Sequence, residues 1–292
     1  MNRIDFRDQI SKNKRKSFFL ILIVIMVIVA LGYVISMAFS PVYFSFIMII
    51  ATIFSILYIM ISYYNSDKIA IASVGAKPAS REKHKMFYDL VEGLTLASGL
   101  PMPKLYIMPS QQINAFASGR NPKKAVICVT EGALNKLDRK ELEGVLAHEL
   151  GHVGNYDIRY ITLVAVLVGM IAIISQIFLR SLFFSGDRGG DKKNVIFIII
   201  GIALAILAPI VVWLVQMSIS RKREYSADAT AVKFTRYPEG LIKALEKIKH
   251  EHAPAEKKVN KAIAPLFFSN PFKNLGSTHP PIEKRIEALR RM

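Results

Sequence analysis

The sequence holds a single cysteine, Cys128, which excludes an internal disulfide and a cysteine-based zinc cluster. Cys128 lies in the apolar run Ala125–Val129 and reads as a small core residue of a strand. Acidic residues are scarce, 22 against 39 Lys and Arg, leaving a net charge of +17. No basic patch interleaved with aromatics accompanies that excess, so nucleic acid is excluded as a partner. The chain also lacks internal repeats and long linkers. No small-residue cleavage site closes its first apolar run, which exceeds the ~7–15 residues of a signal region, so the run is expected to be an anchor.

Apolar residues are abundant, 52% of the chain, and they are concentrated. Ser17–Phe39, Val42–Tyr64, Tyr160–Leu179 and Val195–Ile219 are long enough to cross about 30 Å of hydrocarbon as helices. None of the four holds an Asp, Glu, Lys, Arg or His, and Arg180 stands at the end of the third. Arg3, Arg7, Lys12, Lys14, Arg15 and Lys16 precede the first run, and the first hairpin carries no Lys or Arg. Positive-inside bias then puts both termini and the segment 65–159 in the cytoplasm. Arg180, Arg188, Lys192 and Lys193 run against the bias, since the same topology places them at the outer end of the second hairpin. The expected organisation is a tail and hairpin (1–64), a cytoplasmic part (65–159), a second hairpin (160–219) and a second cytoplasmic part (220–292). The bilayer is a partner, with the basic excess drawn to anionic lipid.

In the first cytoplasmic part, Ile69–Lys77 reads as a short strand. A helix is expected from Ser80 as N-cap to the stop at Gly99, Pro101 and Pro103. Leu105–Met108, Asn114–Ser118 and Ala125–Val129 read as strands. Asn114, Ala115, Phe116 and Ala117 are expected at an exposed edge where a peptide adds in extended form, with little side-chain selectivity. Asp138–Asp157 then reads as a helix with Leu142, Val145, Leu146, Glu149 and Val153 on one side.

That helix carries His148-Glu149-Leu150-Gly151-His152. Residues i and i+4 share a helix face about 6 Å apart, so both imidazoles reach one Zn²⁺ and Glu149 lies beside its water as general base. A hydrolytic zinc needs a third protein ligand and one open position. HExxHxxGxxH is excluded, because Asn155 and Ile158 occupy its last two defined positions. Downstream glutamates remain: Glu224, Glu239, Glu246, Glu251, Glu256, Glu283 and Glu287. Membrane depth favours Glu224. His152 lies about 12 Å from the third apolar run if the helix continues, and Glu224 about 7–8 Å beyond the fourth. Asp228, one turn on, is placed to accept the free N–H of a ligand histidine. Ser226, Ala227, Ala229 and Ala231 permit close helix packing.

HELGH before a hairpin, EYSADATA, STHPPIEKRI and INAFASG (Ile113–Gly119) together resemble the HtpX-type heat-shock membrane zinc proteases, relatives of the CAAX prenyl-protease endopeptidases. The resemblance covers nearly the whole chain. It implies a membrane-anchored α+β fold: four transmembrane helices and a cytoplasmic gluzincin-like domain with a small, edge-exposed sheet. It implies one Zn²⁺ on His148, His152 and Glu224, with Glu149 as base and His279 as a catalytic donor to the oxyanion. Damaged or misassembled membrane proteins and unfolded polypeptides are the implied substrates, self-cleavage is common, and the implied location is the bacterial cytoplasmic membrane. A non-enzymatic scaffold fits poorly, because Glu149 is not a ligand and is nevertheless present.

Overall fold

A computed structural model describes scattered residues between 15 and 29, and then residues 44–162, 221–251, 267–269 and 280–292. His279, the charged segment 185–194 and most of the first, third and fourth apolar runs lie outside the described residues. Within the second run a helix forms, α1 (Phe44–Tyr64), followed by α2 (Ser66–Ser73). The apolar side chains of α1 face outward, Phe46, Ile49, Ile53, Phe54 and Leu57 among them. Among the described residues no single helix is long and apolar enough to cross a membrane. Met48–Tyr64 and Ser66–Ser73 qualify together but bend by 75°.

A four-stranded sheet follows, in the order β1 (Lys77–Pro78), β2 (Lys104–Met108), β4 (Ala125–Thr130), β3 (Ala115–Gly119). β2 runs parallel to β4, and β1 and β3 are antiparallel to their neighbours. β4 is buried along its whole length and splits its side chains by the period of two. Ala125, Ile127 and Val129 join the main helical core, while Val126 and Cys128 join a smaller cluster under Ala70, Ile71 and Val74 of α2. Ile69–Lys77 is therefore mostly helix where a strand was expected. A short apolar run does not distinguish the two periods, and packing against the sheet decides.

The helix expected from Ser80 begins five residues later as α3 (Lys85–Ser98). Ser80 instead closes a turn, its carbonyl accepting the His84 N–H at 2.9 Å. Gly99 ends α3 with φ 69°, the left-handed conformation in which glycine meets no Cβ clash. After α4 (Glu131–Lys136), α5 (Arg139–Gly154) opens with a capping box. The Asp138 side chain accepts from the Lys140 and Glu141 amides, and the Glu141 carboxylate accepts from the Asp138 amide at 2.7 Å. Leu142, Val145, Leu146, Glu149 and Val153 are all buried, as their spacing predicts.

Around α5 pack α6 (Arg221–Thr235), α7 (Pro238–Lys249) and the C-terminal α8 (Ile282–Leu289). Glycines on both helices set the approach of α5 to α7. A Cβ on Gly144 would lie 2.6 Å from the Leu241 nitrogen, and one on Gly240 would lie 2.4 Å from the Lys140 carbonyl oxygen. On the other flank Gly151 faces Ala227 and Thr230 of α6. Of the small residues expected in that contact, Ala229 is exposed and Thr230 takes its place.

Candidate metal centre

His148 and His152 sit one turn apart on the buried side of α5, their rings nearly perpendicular at 88° with centroids 4.7 Å apart. Their Nε2 atoms face each other at 3.1 Å. The first turn of α6 brings Glu224 opposite, with Oε1 3.5 Å from His152 Nε2 and Oε2 3.8 Å from His148 Nε2. All three residues are buried, and they form the one triad of His, Cys, Asp or Glu suited to a metal among the described residues. Two bonds of 2.0–2.1 Å at a tetrahedral angle place their donor atoms about 3.3 Å apart. The observed 3.1–3.8 Å spread brackets that separation, so the donor set fits a small divalent cation such as Zn²⁺.

The outer nitrogens are held by carboxylates. His148 Nδ1 pairs with Asp228 Oδ1 at 2.9 Å and His152 Nδ1 with Asp157 Oδ2 at 3.1 Å. A carboxylate only accepts, so each Nδ1 carries a proton and each Nε2 is turned to the shared point, where it is the atom left to bind a metal. Asp157 reaches His152 because α5 stops at Gly154 and Tyr156 takes φ 59°, turning the chain back. A helix continuing from His152 into the third apolar run, the geometry from which the depth of Glu224 was inferred, is not what this segment forms. Glu224 meets the histidines through lateral packing of α5 against α6.

Behind Asp228 lies Arg285 of α8, the largest fully buried side chain among the described residues. Its Nε donates to Asp228 Oδ2 at 2.9 Å and its Nη2 to Oδ1 at 2.6 Å, a two-pronged grip. Nη1 lies 3.6 Å from Glu224 Oε2. A buried guanidinium is tolerated only with such partners, and the grip fixes Asp228 and through it the His148 ring. Arg223 Nε stands 3.8 Å from Asp157 Oδ1 in a looser version of the same arrangement.

These surroundings separate the ionisable groups. Burial pushes His148 down to about 4. Burial also acts downward on His152, but the hydrogen bond it donates to Asp157 and the charge of Glu224 outweigh it and carry the group to about 9. Burial raises Glu149 to about 7, helped by Glu224 and opposed by His152 and the Ala117 N–H. Asp228 is held below its usual range: burial acts upward, and Arg285 overrides it.

The structure brings together His148, Glu149, His152, Glu224 and Asp228. Other downstream glutamates are engaged elsewhere: Glu246 with Arg290, Glu251 with Lys136 and Glu283 with Lys249. Glu256 lies outside the described residues. The exposed edge expected at Asn114–Ala117 is not exposed: all four residues are buried. The chain's own Phe267–Ser269 covers that edge, with the Phe268 N–H bonded to the Ala115 carbonyl at 2.8 Å. Three residues at the site were missed by sequence reasoning. Asp157 lay at the end of the helix expected for the motif, five residues past His152 and outside helical reach; Arg285 lay within STHPPIEKRI; Phe268 carried no signal.

Residues 80–292 match peptidase family M48. The chain is 44% identical over 291 residues to the "Protease HtpX homolog" of Caldanaerobacter subterraneus subsp. tengcongensis, covering 96% of this chain and 95% of that one. It is 42% identical over 296 residues to the protein of the same name from Dictyoglomus thermophilum, covering 100% of this chain and 96% of that one. A solved structure, "Crystal Structure of S. mikatae Ste24p", shares the fold with TM-score 0.50 at 21% identity; the match covers 97% of this chain and 66% of that one, just under two thirds.

Proposed function

The chain belongs to peptidase family M48 and is a metallo-endopeptidase; from that premise we propose that it is a zinc enzyme of the bacterial cytoplasmic membrane that hydrolyses damaged or misassembled membrane proteins and unfolded polypeptides. One observation carries the reading. Three buried donors, His148, His152 and Glu224, converge while a carboxylate orients each imidazole from behind, and Glu149 lies on the same helix between them.

Zinc held there supplies a Lewis acid that polarises the scissile carbonyl and acidifies water from a pKa of 15.7 toward about 7. The protein's own groups do the rest. Glu149, raised to about 7 by burial, is balanced between accepting and returning a proton near neutral pH, which suits a general base. Its carboxylate takes the proton of the attacking water as the carbon–oxygen bond forms. It then passes that proton to the amide nitrogen as the carbon–nitrogen bond breaks. His279 is proposed as a donor to the developing oxyanion, on resemblance alone.

The membrane assignment rests on sequence, and the outward apolar side chains of α1 support it. So does the aromatic end of that helix, where Arg120 lies over Tyr64 at 4.5 Å and Arg159 over Tyr63 at 5.3 Å. Tyrosine with basic partners is the usual composition of a bilayer interface.

The test uses the full chain in detergent, with casein as substrate. The wild type is expected to cleave casein and to stop when chelator removes its zinc. Glu149→Gln is expected to lose cleavage while retaining about one zinc per chain, because Glu149 is a base and not a ligand. Casein hydrolysis by the variant at near wild-type rate would exclude this mechanism.

A further inference from the structure

The outer side of β3 is occupied by the chain itself. In the ladder with β4, Asn114 directs its carbonyl inward to the Thr130 N–H, so Ala115 and Ala117 direct theirs outward by the alternation of antiparallel pairing. The outward Ala115 carbonyl accepts the Phe268 N–H, and Phe116 and Phe267 form an antiparallel bridge. Beside it the Asn114 side chain grips the Ser269 backbone at both polar groups: Nδ2 donates to the carbonyl at 2.7 Å, and Oδ1 accepts the N–H at 3.0 Å. Every one of these polar contacts is made to main chain, so any extended peptide can form them.

The two phenylalanines point to opposite sides, as successive strand residues do. Phe267 packs edge-on against Phe116 in the smaller cluster, with centroids 5.2 Å apart. Phe268 points to the metal centre. Its ring stands nearly perpendicular to His148 at 4.9 Å, and the Arg285 guanidinium lies 4.8 Å from its centroid. We propose that Phe267–Ser269 stands in the place of a substrate strand, and that the enzyme takes extended peptides which lodge an aromatic side chain in the slot that Phe268 fills between His148 and Arg285. This rests on the reading of the centre as that of an endopeptidase. Substrate pairs with β3 only when the internal strand leaves, so the same contact sets both the preference and the resting state. The slot supplies a cationic plane and an imidazole edge, partners suited to an aromatic ring.

Two variants loosen the occupant without changing any residue of β3 or any metal ligand. Phe268→Ala empties the slot, and Ser269→Pro deletes the N–H that Asn114 holds. The first measurement is binding of a fluorescent peptide with one central Phe to zinc-loaded full-length protein carrying Glu149→Gln, with and without each variant. Removing an internal competitor raises the competent fraction, so affinity is expected to rise roughly three- to tenfold. The second measurement, on the Glu149 form, is cleavage of the same peptide and of one with Ser for Phe; KM is expected to fall in both variants, and the Phe peptide to be preferred. Zinc content and melting temperature report folding, and Ser269→Pro carries the test if Phe268→Ala does not fold. Unchanged or weaker binding in folded variants overturns the proposal and makes the segment a fixed wall. A zinc-loaded wild type that cleaves neither peptide nor casein overturns the endopeptidase reading instead, while the binding arm still decides whether the segment competes.

Discussion

At the scale of single residues, the centre separates what a motif specifies from what a fold must add. HELGH specifies two imidazoles and a base on one helix face. It does not specify which nitrogen of each ring faces inward; Asp228 and Asp157 do that from behind. The second was hidden in sequence because a polar run after HELGH looks like more helix, and only the turn at Tyr156, with φ 59°, brings Asp157 back. Arg285 was hidden for a related reason, since an arginine on a short amphipathic helix is read as solvated until Asp228 is found opposite. Asp157→Asn keeps the size of the side chain and weakens its hold on His152. Zinc affinity, read by competition with a graded chelator, is expected to fall about 10–100-fold, the usual cost of losing such a support. Asp228→Asn is expected to behave alike. An Asp157→Asn protein with wild-type zinc retention and activity would leave Asp157 a purely structural carboxylate.

Among elements, the approach of α5 to its neighbours decides whether the ligands meet. The strands and helices were legible where periodicity was long, as in α5, whose five apolar-side residues are all buried. They were misread where runs were short: α2 was read as strand, and the three residues Phe267–Ser269 were too few to show any period. The crossing of α5 with α7 depends on Gly144, where a Cβ would meet Leu241 backbone at 2.6 and 2.8 Å. Backbone cannot rotate away as a side chain does. Gly144→Ala is expected to cost about 1–3 kcal/mol by overpacking and to lower the melting temperature. Gly93→Ala is the control, a helical glycine on α3 with nothing within 4 Å of an added Cβ; it is expected to be neutral or to stabilise by about 0.4–1 kcal/mol. Equal melting of the two variants would mean that the close crossing is not required.

For the whole molecule, the fold unites ligands 76 positions apart, counted from His148 to Glu224, by packing α5 against α6. Sequence reasoning chose Glu224 from seven glutamates by its distance from an apolar run, and the structure brings the same residue to the histidines laterally. The family follows from the match over residues 80–292, while the arrangement of the four apolar runs in a membrane is a proposal. The most direct measurement of the central claim is zinc retention by Glu224→Gln, Glu239→Gln and Glu246→Gln against a graded chelator series. Glu224→Gln keeps volume and removes the ligand charge, so its zinc is expected to be lost at chelator concentrations orders of magnitude lower than for wild type. The other two are expected to match wild type, Glu246 being paired with Arg290 on the surface. Wild-type retention by Glu224→Gln, with loss by Glu239→Gln or Glu246→Gln, would contradict a centre built from His148, His152 and Glu224.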